Sequence, residues 1–311
     1  MKIYKDIAQF EAVNKPILTI GTFDGVHLGH KKILNRLKEL KSLHDGETVV
    51  FTFDPHPRTV LFPEQKDLKL ITTTAEKTAL VEEAGIDHLI IYPFSKEFAL
   101  LSSEEYIKEF LVARLHTRIL VIGYDHRFGH NREGNIDTLK KFSHDLNYTV
   151  EEIPAHDIDS INISSTRIRR ALEEGNVNSA NTYLGYPYFF TGKVVEGKKL
   201  GRTIGYPTVN IEVESSLKLL PAIGVYAVTV EFEGRLHKGM LSIGVNPTTD
   251  DDGKIKLEVN IFELNENLYT KQLRVNVHSR LRNEEKFANL EELKKQLEVD
   301  QINALQALSA V

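Results

Sequence analysis

The sequence contains no cysteine among its 311 residues. The absence excludes disulfide bonds, thiolate metal ligands and a cysteine nucleophile. It fits a reducing compartment, and we therefore expect a cytoplasmic protein.

Long apolar runs and an excess of basic residues are also lacking. No segment approaches the roughly 20 apolar residues that a membrane-spanning helix needs. The N-terminal segment MKIYKDIAQFEAV carries acidic residues and no long apolar run, which predicts no signal peptide. The 39 Lys and Arg residues against 44 Asp and Glu residues give a net charge of -5, which provides no electrostatic footprint for nucleic acid. We expect neither a membrane nor a nucleic acid as partner, and the sequence leaves the oligomeric state open.

The composition is that of a globular protein, with 41% hydrophobic and 27% charged residues, and the length suits two domains. In the first half, short apolar strand patterns alternate with helical patterns. The alternation predicts a doubly wound α/β fold, a parallel sheet with helices on both faces. The predicted strands are 17–20, 48–53, 89–92, 119–123 and 148–153, and the later predicted helices are 75–84, 104–115 and 136–146.

The second half has a different texture. Its β-rich runs at 224–232, 238–243, 256–262 and 272–277 predict a small antiparallel β-barrel, with a sandwich as the alternative. A C-terminal helix is predicted over 289–308. A helical pattern from Ser164 to about Leu184 is broken by Gly185-Tyr186-Pro187. We therefore predict two domains, 1–185 and 186–311.

The first predicted strand runs into a glycine-rich and histidine-rich segment at the start of a helix. The segment is Gly21-Thr22-Phe23-Asp24-Gly25-Val26-His27-Leu28-Gly29-His30. Glycines let backbone N–H groups approach a phosphate, and a helix N-terminus favours anions. Imidazoles three residues apart can face one ligand and stabilise charge that develops on a phosphate. The alternative is a tight turn with two solvated histidines. Zinc binding is disfavoured because no cysteine or close third ligand accompanies the pair.

Two shorter segments of the first half have both a chemical and a structural interpretation. Hydroxyls and an arginine at a helix start, in Ser164-Ser165-Thr166 and Arg169, suit a phosphate chain, but could equally be an N-cap with a basic first turn. His56 lies between two prolines, where stiffness of the loop alone would explain the pattern.

The second half carries a basic glycine-rich stretch and three separated polar residues. The stretch, which could form a flap over ATP phosphates or a plain hairpin, contains Gly192, Lys193, Gly197, Gly201 and Arg202 and lacks the P-loop pattern. Thr208 and Asn210 share one face of an extended segment, and their oxygens suit Mg²⁺. Glu258 shares a strand face with Asn260. The alternative is that the side chains of Thr208, Asn210 and Glu258 are simply exposed to solvent.

Taken together, these motifs resemble known families. His27-Leu28-Gly29-His30 with Ser164-Ser165-Thr166 and Arg169 is similar to the nucleotidyltransferase superfamily. A further set of motifs resembles, more specifically, the bacterial bifunctional riboflavin kinase/FAD synthetase family. In the first half these are Gly21-x-Phe23-Asp24-Gly25-Val26-His27, Thr52-Phe53-Asp54-Pro55-His56-Pro57 and Gly123-x-Asp125 with Phe128-Gly129; in the second they are Gly205-x-Pro207-Thr208-x-Asn210, Gly224-Val225-Tyr226, Gly244-x-x-Pro247-Thr248, Glu258, Leu268-Tyr269 and Arg282-x-Glu284-x-Lys286-Phe287. Class I tRNA synthetases, which share a related histidine motif, match poorly.

The resemblance implies a nucleotidyltransferase-like domain that adenylylates FMN to FAD with release of pyrophosphate. It assigns the catalytic phosphate contacts to His27, His30 and Arg169. The nucleotide-binding residues it implies are Gly21, Thr22, Phe23, Gly25, Gly29, Asp125, Ser164, Ser165 and Thr166. His126 stands where the family usually has phenylalanine.

For the second domain, the resemblance implies a barrel that binds ATP, Mg²⁺ and riboflavin and forms FMN. It assigns the metal to Thr208 and Asn210, the general base to Glu258, and flavin binding to Arg282, Glu284 and Phe287. Asn260 replaces a frequent histidine, and Lys198-Lys199-Leu200 departs from the usual flap. A kinase whose first domain binds nucleotide or flavin without catalysis is the main alternative. A non-enzymatic flavin-binding regulator is a more distant one.

Overall fold

A computed structural model describes residues 1–311 except 12, 66, 155–162, 198–200, 202–203, 246–254 and 265. The contacts between Cα atoms divide the chain into two units. The first comprises Met1–Leu68 and Thr74–Ser164, and the second comprises Lys69–Thr73 and Ser165–Val311. The prediction that 1–185 and 186–311 are separate domains stays a prediction.

The first unit is built on a parallel sheet of six strands. The strands are β1 (Lys2–Tyr4), β2 (Ile17–Ile20), β3 (Thr48–Phe53), β4 (His88–Tyr92), β5 (Ile119–Gly123) and β6 (Thr149–Ile153). Their order in the sheet is β1-β4-β3-β2-β5-β6, and every pair is parallel. The central strands are short, almost wholly buried apolar runs, as expected for strands covered on both faces. The predicted α/β sheet is confirmed.

The described helices of this unit connect the strands. They are α1 (Leu28–His44), α2 (Pro57–Leu61), α3 (Thr74–Glu83), α4 (Lys96–Ala99), α5 (Ser103–Glu105) and α6 (Ile136–Ser143), with a π-helix at Tyr106–Arg114 and 3-10 turns at Ile7–Gln9 and His130–Arg132. The predicted α-helix over 104–115 is therefore mostly π-helical. Its apolar side chains are buried as the pattern predicted, because Tyr106, Ile107, Phe110 and Leu111 pack into the core.

The strand order fixes where a ligand can bind. From β2 the chain passes through α1 to β3 on one side, whereas β5 pairs with β2 on the other side. The carboxyl ends of β2 and β5 therefore flank the point where the strand order reverses. Open α/β sheets bind ligands in the crevice at such a point. The histidine-rich segment follows β2 at this position.

The described part of the second unit contains two helices, a closed antiparallel barrel and a terminal helix. The elements are α7 (Ser165–Glu173), α8 (Val177–Leu184), β7 (Tyr188–Val195), β8 (Val209–Glu212), β9 (Gly224–Phe232), β10 (Arg235–Val245), β11 (Ile255–Ile261), β12 (Gln272–Arg282) and α9 (Leu290–Ala307). The barrel order is β10-β11-β8-β7-β12-β9, closed by the pairing of β9 with β10. Glu233 and Gly234 form the turn between β9 and β10, with φ of 47° and 74°, as a tight hairpin requires. The barrel and the C-terminal helix are both confirmed.

A short segment from early in the chain completes this unit. Leu70 forms a parallel bridge with Lys218, and its N–H donates to the Leu217 carbonyl at 2.7 Å. The buried Lys218 ammonium donates to the carbonyls of Ile71 at 2.6 Å and Phe189 at 2.7 Å. These contacts tie Lys69–Thr73 to the barrel, and no local pattern in the sequence predicted them.

Candidate active sites

The segment after β2 is a tightly turned loop at the switch point of the sheet. The Val26 N–H donates to the Phe23 carbonyl at 3.1 Å, and Gly25 between them has a φ of 84°. Phe23 and Val26 also have positive φ, 48° and 35°, although both side chains are buried. Left-handed conformations of bulky residues are strained and persist only where surrounding contacts enforce them. The loop is therefore held in one shape by its packing.

His27 and His30 lie together at the start of α1. His27 is the N-cap, and its Nδ1 accepts the His30 backbone N–H at 3.3 Å. The two rings stack at 3.7 Å between centroids with an angle of 14° between planes. Because Nδ1 of His27 is an acceptor, the proton of its neutral ring lies on Nε2. The predicted pair is thus brought together at the start of α1.

His30 is the more perturbed member of the pair. Burial lowers its pKa well below the usual value, and His27 and Lys77 lower that pKa further. Its Nδ1 is buried and has no hydrogen-bond partner among the residues that the structure describes. A buried polar atom without a partner is costly, so a ligand with polar oxygens would satisfy it. This atom fits a phosphate or another polar ligand at the loop.

Lys77, on α3, is a residue of this site that the sequence analysis missed. Its side chain is 6% exposed, and Nζ lies 2.9 Å from Thr52 Oγ1 and 3.2 Å from the carbonyls of both Thr22 and Phe53. Burial lowers its pKa to about 8, against the influence of Asp24 and Asp54. Its spacing from the apolar Leu80 and Val81 on the same helix face is the feature of the sequence that could have indicated a buried lysine.

The carboxyl ends of β3 and β5 carry the other predicted residues of this unit. His56 caps α2, because its Nδ1 accepts the Arg58 N–H at 3.2 Å. This contact supports the structural interpretation of His56. Asp125 is exposed directly beyond β5. His126 stacks on Phe128 at 5.9 Å, and burial together with Arg132 lowers its pKa to about 4.

The hydroxyl and arginine segment begins α7. Ser164 ends the first unit, whereas Ser165, Thr166 and Arg169 belong to the second. The Arg169 Nε donates to the Lys69 carbonyl at 2.9 Å. Their predicted participation in phosphate binding with His27 and His30 stays a prediction.

In the barrel, the three predicted catalytic and metal-binding residues form one polar patch. Glu258 of β11 is directly paired with Asn210 of β8, which places the two side chains on the same face of the sheet. Thr208 Oγ1 lies 3.5 Å from Glu258 Oε2. Thr208, Asn210 and Glu258 are partly buried, so the patch is not a fully solvated strand face.

Asn260 supports this patch from the neighbouring position of β11. It is buried, and its amide donates to the Pro207 carbonyl at 2.7 Å. That hydrogen bond fixes the backbone immediately before Thr208. The departure from histidine at this position thus has a structural role in this chain.

The glycines of the predicted phosphate flap have close neighbours. Gly192 and Lys193 lie inside β7 and not in a flap, because the strand continues to Val195. A Cβ at Gly192 would collide with Ile211 and the Glu212 backbone, and one at Gly197 would collide with the Asn210 side chain. A Cβ at Gly201 would collide with the Tyr206 carbonyl. Close packing therefore explains these glycines, and phosphate binding by this segment stays a prediction. Arg202 and Lys198-Lys199-Leu200 lie outside the described residues.

The predicted flavin-binding residues follow β12. The Arg282 guanidinium forms a bidentate pair with the buried Asp300 of α9, with Nε–Oδ1 of 2.9 Å and NH2–Oδ2 of 2.8 Å. The centroid of the Phe287 ring lies 5.6 Å from that guanidinium. The Glu284 carboxylate packs against Gly244, where any Cβ would collide with it. Arg282 therefore anchors the terminal helix, and flavin binding by Arg282, Glu284 and Phe287 stays a prediction.

The described residues include no cluster of three or more His, Cys, Asp or Glu side chains suited to a metal ion. The barrel patch instead offers a hydroxyl, an amide oxygen and a carboxylate, donors that suit Mg²⁺ shared with phosphate oxygens. Among the helices of the described segments, none combines the length and apolar character that crossing a membrane requires.

A nucleotide-type site at the switch point of an α/β sheet, together with a polar patch on a closed barrel, defines the class of a two-unit phosphate-transferring enzyme. Comparison with known families agrees with both parts. Residues 10–167 match the family model of FAD synthetase, and residues 184–308 match that of riboflavin kinase.

Curated relatives and one solved structure resemble nearly the whole chain. The "Bifunctional riboflavin kinase/FMN adenylyltransferase" of Listeria monocytogenes is 38% identical, over 93% of this chain and 91% of that protein. Its namesake from Escherichia coli K12 is 35% identical over the same shares. A solved structure described as a macrolide-efflux protein from Streptococcus pneumoniae has a TM-score of 0.87 and 32% identity, with 96% of each chain covered. That description names another activity, whereas both family models and the curated relatives agree on flavin enzymes.

The chain belongs to the bifunctional riboflavin kinase/FMN adenylyltransferase family. The predicted pair of activities is thereby confirmed over the alternative of a kinase with a non-catalytic first domain. An enzyme with kinase and nucleotidyltransferase domains that use ATP depends on a divalent metal.

Proposed function

We propose that the second unit phosphorylates riboflavin to FMN and the first adenylylates FMN to FAD, with the residues assigned below. The observation that carries this proposal is the cross-strand pair of Glu258 and Asn210 beside Thr208. This arrangement places a general base, Glu258, and two oxygen ligands, Thr208 and Asn210, together on one face of the barrel. The His27–His30 stack at the switch point of the sheet supports the second reaction.

In the kinase reaction, the riboflavin 5′-hydroxyl oxygen attacks the γ-phosphorus of ATP, and ADP leaves. Glu258 accepts the hydroxyl proton, because a primary alcohol is a poor nucleophile. Thr208 and Asn210 would hold the divalent ion, for which we propose Mg²⁺. When bound, that ion neutralises charge on the phosphates.

In the adenylyl transfer, an FMN phosphate oxygen attacks the α-phosphorus of ATP, and pyrophosphate leaves. His27 and His30 stabilise the charge that develops on the phosphates, and the buried His30 Nδ1 lacks a partner within the described residues. The backbone of Gly21, Thr22, Phe23 and Gly25 shapes the loop against the phosphates, and Gly29 is buried in the first turn of α1. Donors fixed in advance stabilise developing charge without reorganisation.

The test is incubation of the protein with riboflavin, ATP and Mg²⁺, followed by chromatographic separation of riboflavin, FMN and FAD. Formation of both products supports the proposal. Formation of FMN without FAD would contradict the adenylylation assigned to the first unit. Absence of both FMN and FAD would contradict the activities assigned to both units. Repeating the reaction with Mn²⁺ or Ca²⁺ in place of Mg²⁺ tests the identity of the metal.

We also infer a cytoplasmic location, which rests on the sequence analysis and on the use of ATP as substrate. Subcellular fractionation with an antibody against the chain tests it.

A further inference from the structure

The Lys77 ammonium caps the backbone beneath the loop that contains His27 and His30. Its three acceptors are the Thr22 carbonyl, the Thr52 hydroxyl and the Phe53 carbonyl. These atoms belong to the carboxyl end of β3 and to the loop that follows β2. One side chain on α3 therefore ties together two segments at the edge of the sheet where the phosphates are expected.

The hydrogens of this cluster can be assigned. The Thr52 hydroxyl donates to the Thr22 carbonyl at 3.1 Å, so its oxygen is the acceptor towards Lys77. The three N–H bonds of an ammonium then match three acceptors, whereas a neutral amine has only two. The arrangement is complete only when Lys77 is positively charged.

The contact at Thr22 also fixes the direction of the next amide. In a trans peptide the carbonyl and the following N–H point in opposite directions. Holding the Thr22 carbonyl towards Lys77 directs the Phe23 N–H away from it. Phe23 begins the turn, in a left-handed conformation with a φ of 48°. Lys77 is thus one of the contacts that impose the strained shape of the loop.

The buried charge acts on the same loop. Lys77 is 6% exposed, and a charge away from water is weakly screened. It is one of the groups that lower the pKa of His30, beside the stacked His27 ring. Asp24 and Asp54 are the acidic groups that favour the charged lysine.

We propose that Lys77 is a positioning residue for FMN adenylylation: it fixes the Thr22 carbonyl, and with it the His27–His30 loop, and places one positive charge next to the ATP phosphates. The proposal rests on the adenylylation site proposed above. It assigns two separable effects to one side chain, geometry of the loop and charge beneath it.

Kinetics of FAD formation from supplied FMN and ATP separate the two effects. Lys77→Met removes both, so kcat should fall on the order of 10²-fold, as for a misplaced reacting group, and KM for ATP should rise. Lys77→Arg keeps the positive charge but not the geometry of the three hydrogen bonds. Its KM for ATP should therefore be close to the wild-type value, whereas its kcat should be as low as that of Lys77→Met. Thr52→Val breaks the hydroxyl link to Thr22 and leaves the charge, so kcat should fall with KM unchanged.

The matched control is Lys41→Met. Lys41 donates to both Asp87 oxygens, at 2.6 and 2.8 Å, and Asp87 bonds Thr48 at the opposite end of β3. This variant should form FAD at the wild-type rate. Riboflavin phosphorylation by the same molecules reports on the other unit.

A titration without substrate gives an independent readout. In NMR spectra of ¹³C-histidine-labelled protein, assigned with a His30→Gln variant, Lys77→Met should raise the pKa of His30, and Lys41→Met should leave it unchanged. Folded Lys77→Met, Lys77→Arg and Thr52→Val proteins with wild-type kcat and KM would overturn the proposal. If Lys77→Met fails to fold, wild-type kinetics of the other two variants overturn it equally. An absence of FAD formation by the wild-type protein would instead refute the adenylylation site itself.

Discussion

Replacement of Glu258 by glutamine tests the proposed chemistry of the barrel most directly. The substitution keeps the size of the side chain and an oxygen acceptor, but removes the basic carboxylate. Glu258 stays opposite Asn210 across the β8–β11 pair, so the geometry of the patch should survive. The variant separates proton transfer from folding.

The expected magnitudes differ strongly between catalysis and stability. A positioned general base contributes roughly 10²–10⁴-fold to a rate, and riboflavin phosphorylation should fall by that factor. In contrast, the contact of Glu258 with Thr208 is 3.5 Å long, at the limit of a hydrogen bond. Its loss should cost less than about 1 kcal/mol of unfolding free energy.

The assay measures three quantities on one preparation. These are FMN formation from riboflavin, FAD formation from supplied FMN, and thermal unfolding. Glu231→Gln is the matched control, because Glu231 is an exposed residue of the barrel strand β9 and has no proposed part in catalysis. FAD formation should remain near wild type in both variants.

Two outcomes would refute the reasoning. A folded Glu258→Gln protein that makes FMN as fast as wild type excludes a catalytic base at this position. A variant with a strongly lowered melting temperature, but normal activity per folded molecule, assigns Glu258 to barrel stability instead.

Four further predictions concern other parts of the chain. His30→Ala should lower FAD formation on the order of 10²–10³-fold and leave FMN formation intact; wild-type FAD synthesis would contradict the assignment. A fragment of residues 186–311 should phosphorylate riboflavin but melt below a fragment of residues 165–311, because α7 and α8 are both lost; a folded 186–311 fragment that binds neither ATP nor riboflavin would count against it. Asp300→Asn should lower the unfolding free energy in urea by about 3 kcal/mol, because Asp300 is 1% exposed and pairs with a guanidinium; an unchanged urea midpoint would disprove this. Lys77 has a pKa of about 8 in the folded protein, against 10.5 for an exposed lysine. The unfolding free energy of the wild type should therefore rise by up to about 3 kcal/mol relative to that of Lys77→Met between pH 8 and pH 10.5. Parallel curves of unfolding free energy against pH for the two proteins would exclude this.

The sequence predicts the regular parts of this fold well because their patterns are local. The buried runs at 17–20, 48–53 and 119–123 coincide with β2, β3 and β5. By contrast, β7 contains Gly192 and Lys193, and that composition favoured a flap over a strand. The bridge between Leu70 and Lys218 leaves no local pattern at all, because its partners are brought together only by folding.

The residues of the candidate sites also differ in whether they could be predicted, according to whether their partners are close in sequence. Residues close in sequence, such as His27 and His30, could be placed together from their spacing. Glu258 and Asn210 could be linked only through resemblance, since their pairing depends on barrel register. Arg282 was predicted to bind flavin, and its bidentate contact with Asp300 on α9 could not be foreseen. Side chains whose roles depend on distant partners escape inference from local patterns.

The loop after β2 shows why the missed lysine belongs with the predicted histidines. Glycine is the residue expected at positive φ, yet Phe23 and Val26 adopt such angles on either side of Gly25. Each strained residue costs on the order of 1–3 kcal/mol. Burial of both side chains, the His27 cap and the Lys77 contacts offset that cost. Departures from local preference are expected at functional sites, and the features that offset the strain here are also those that set the electrostatics of His30.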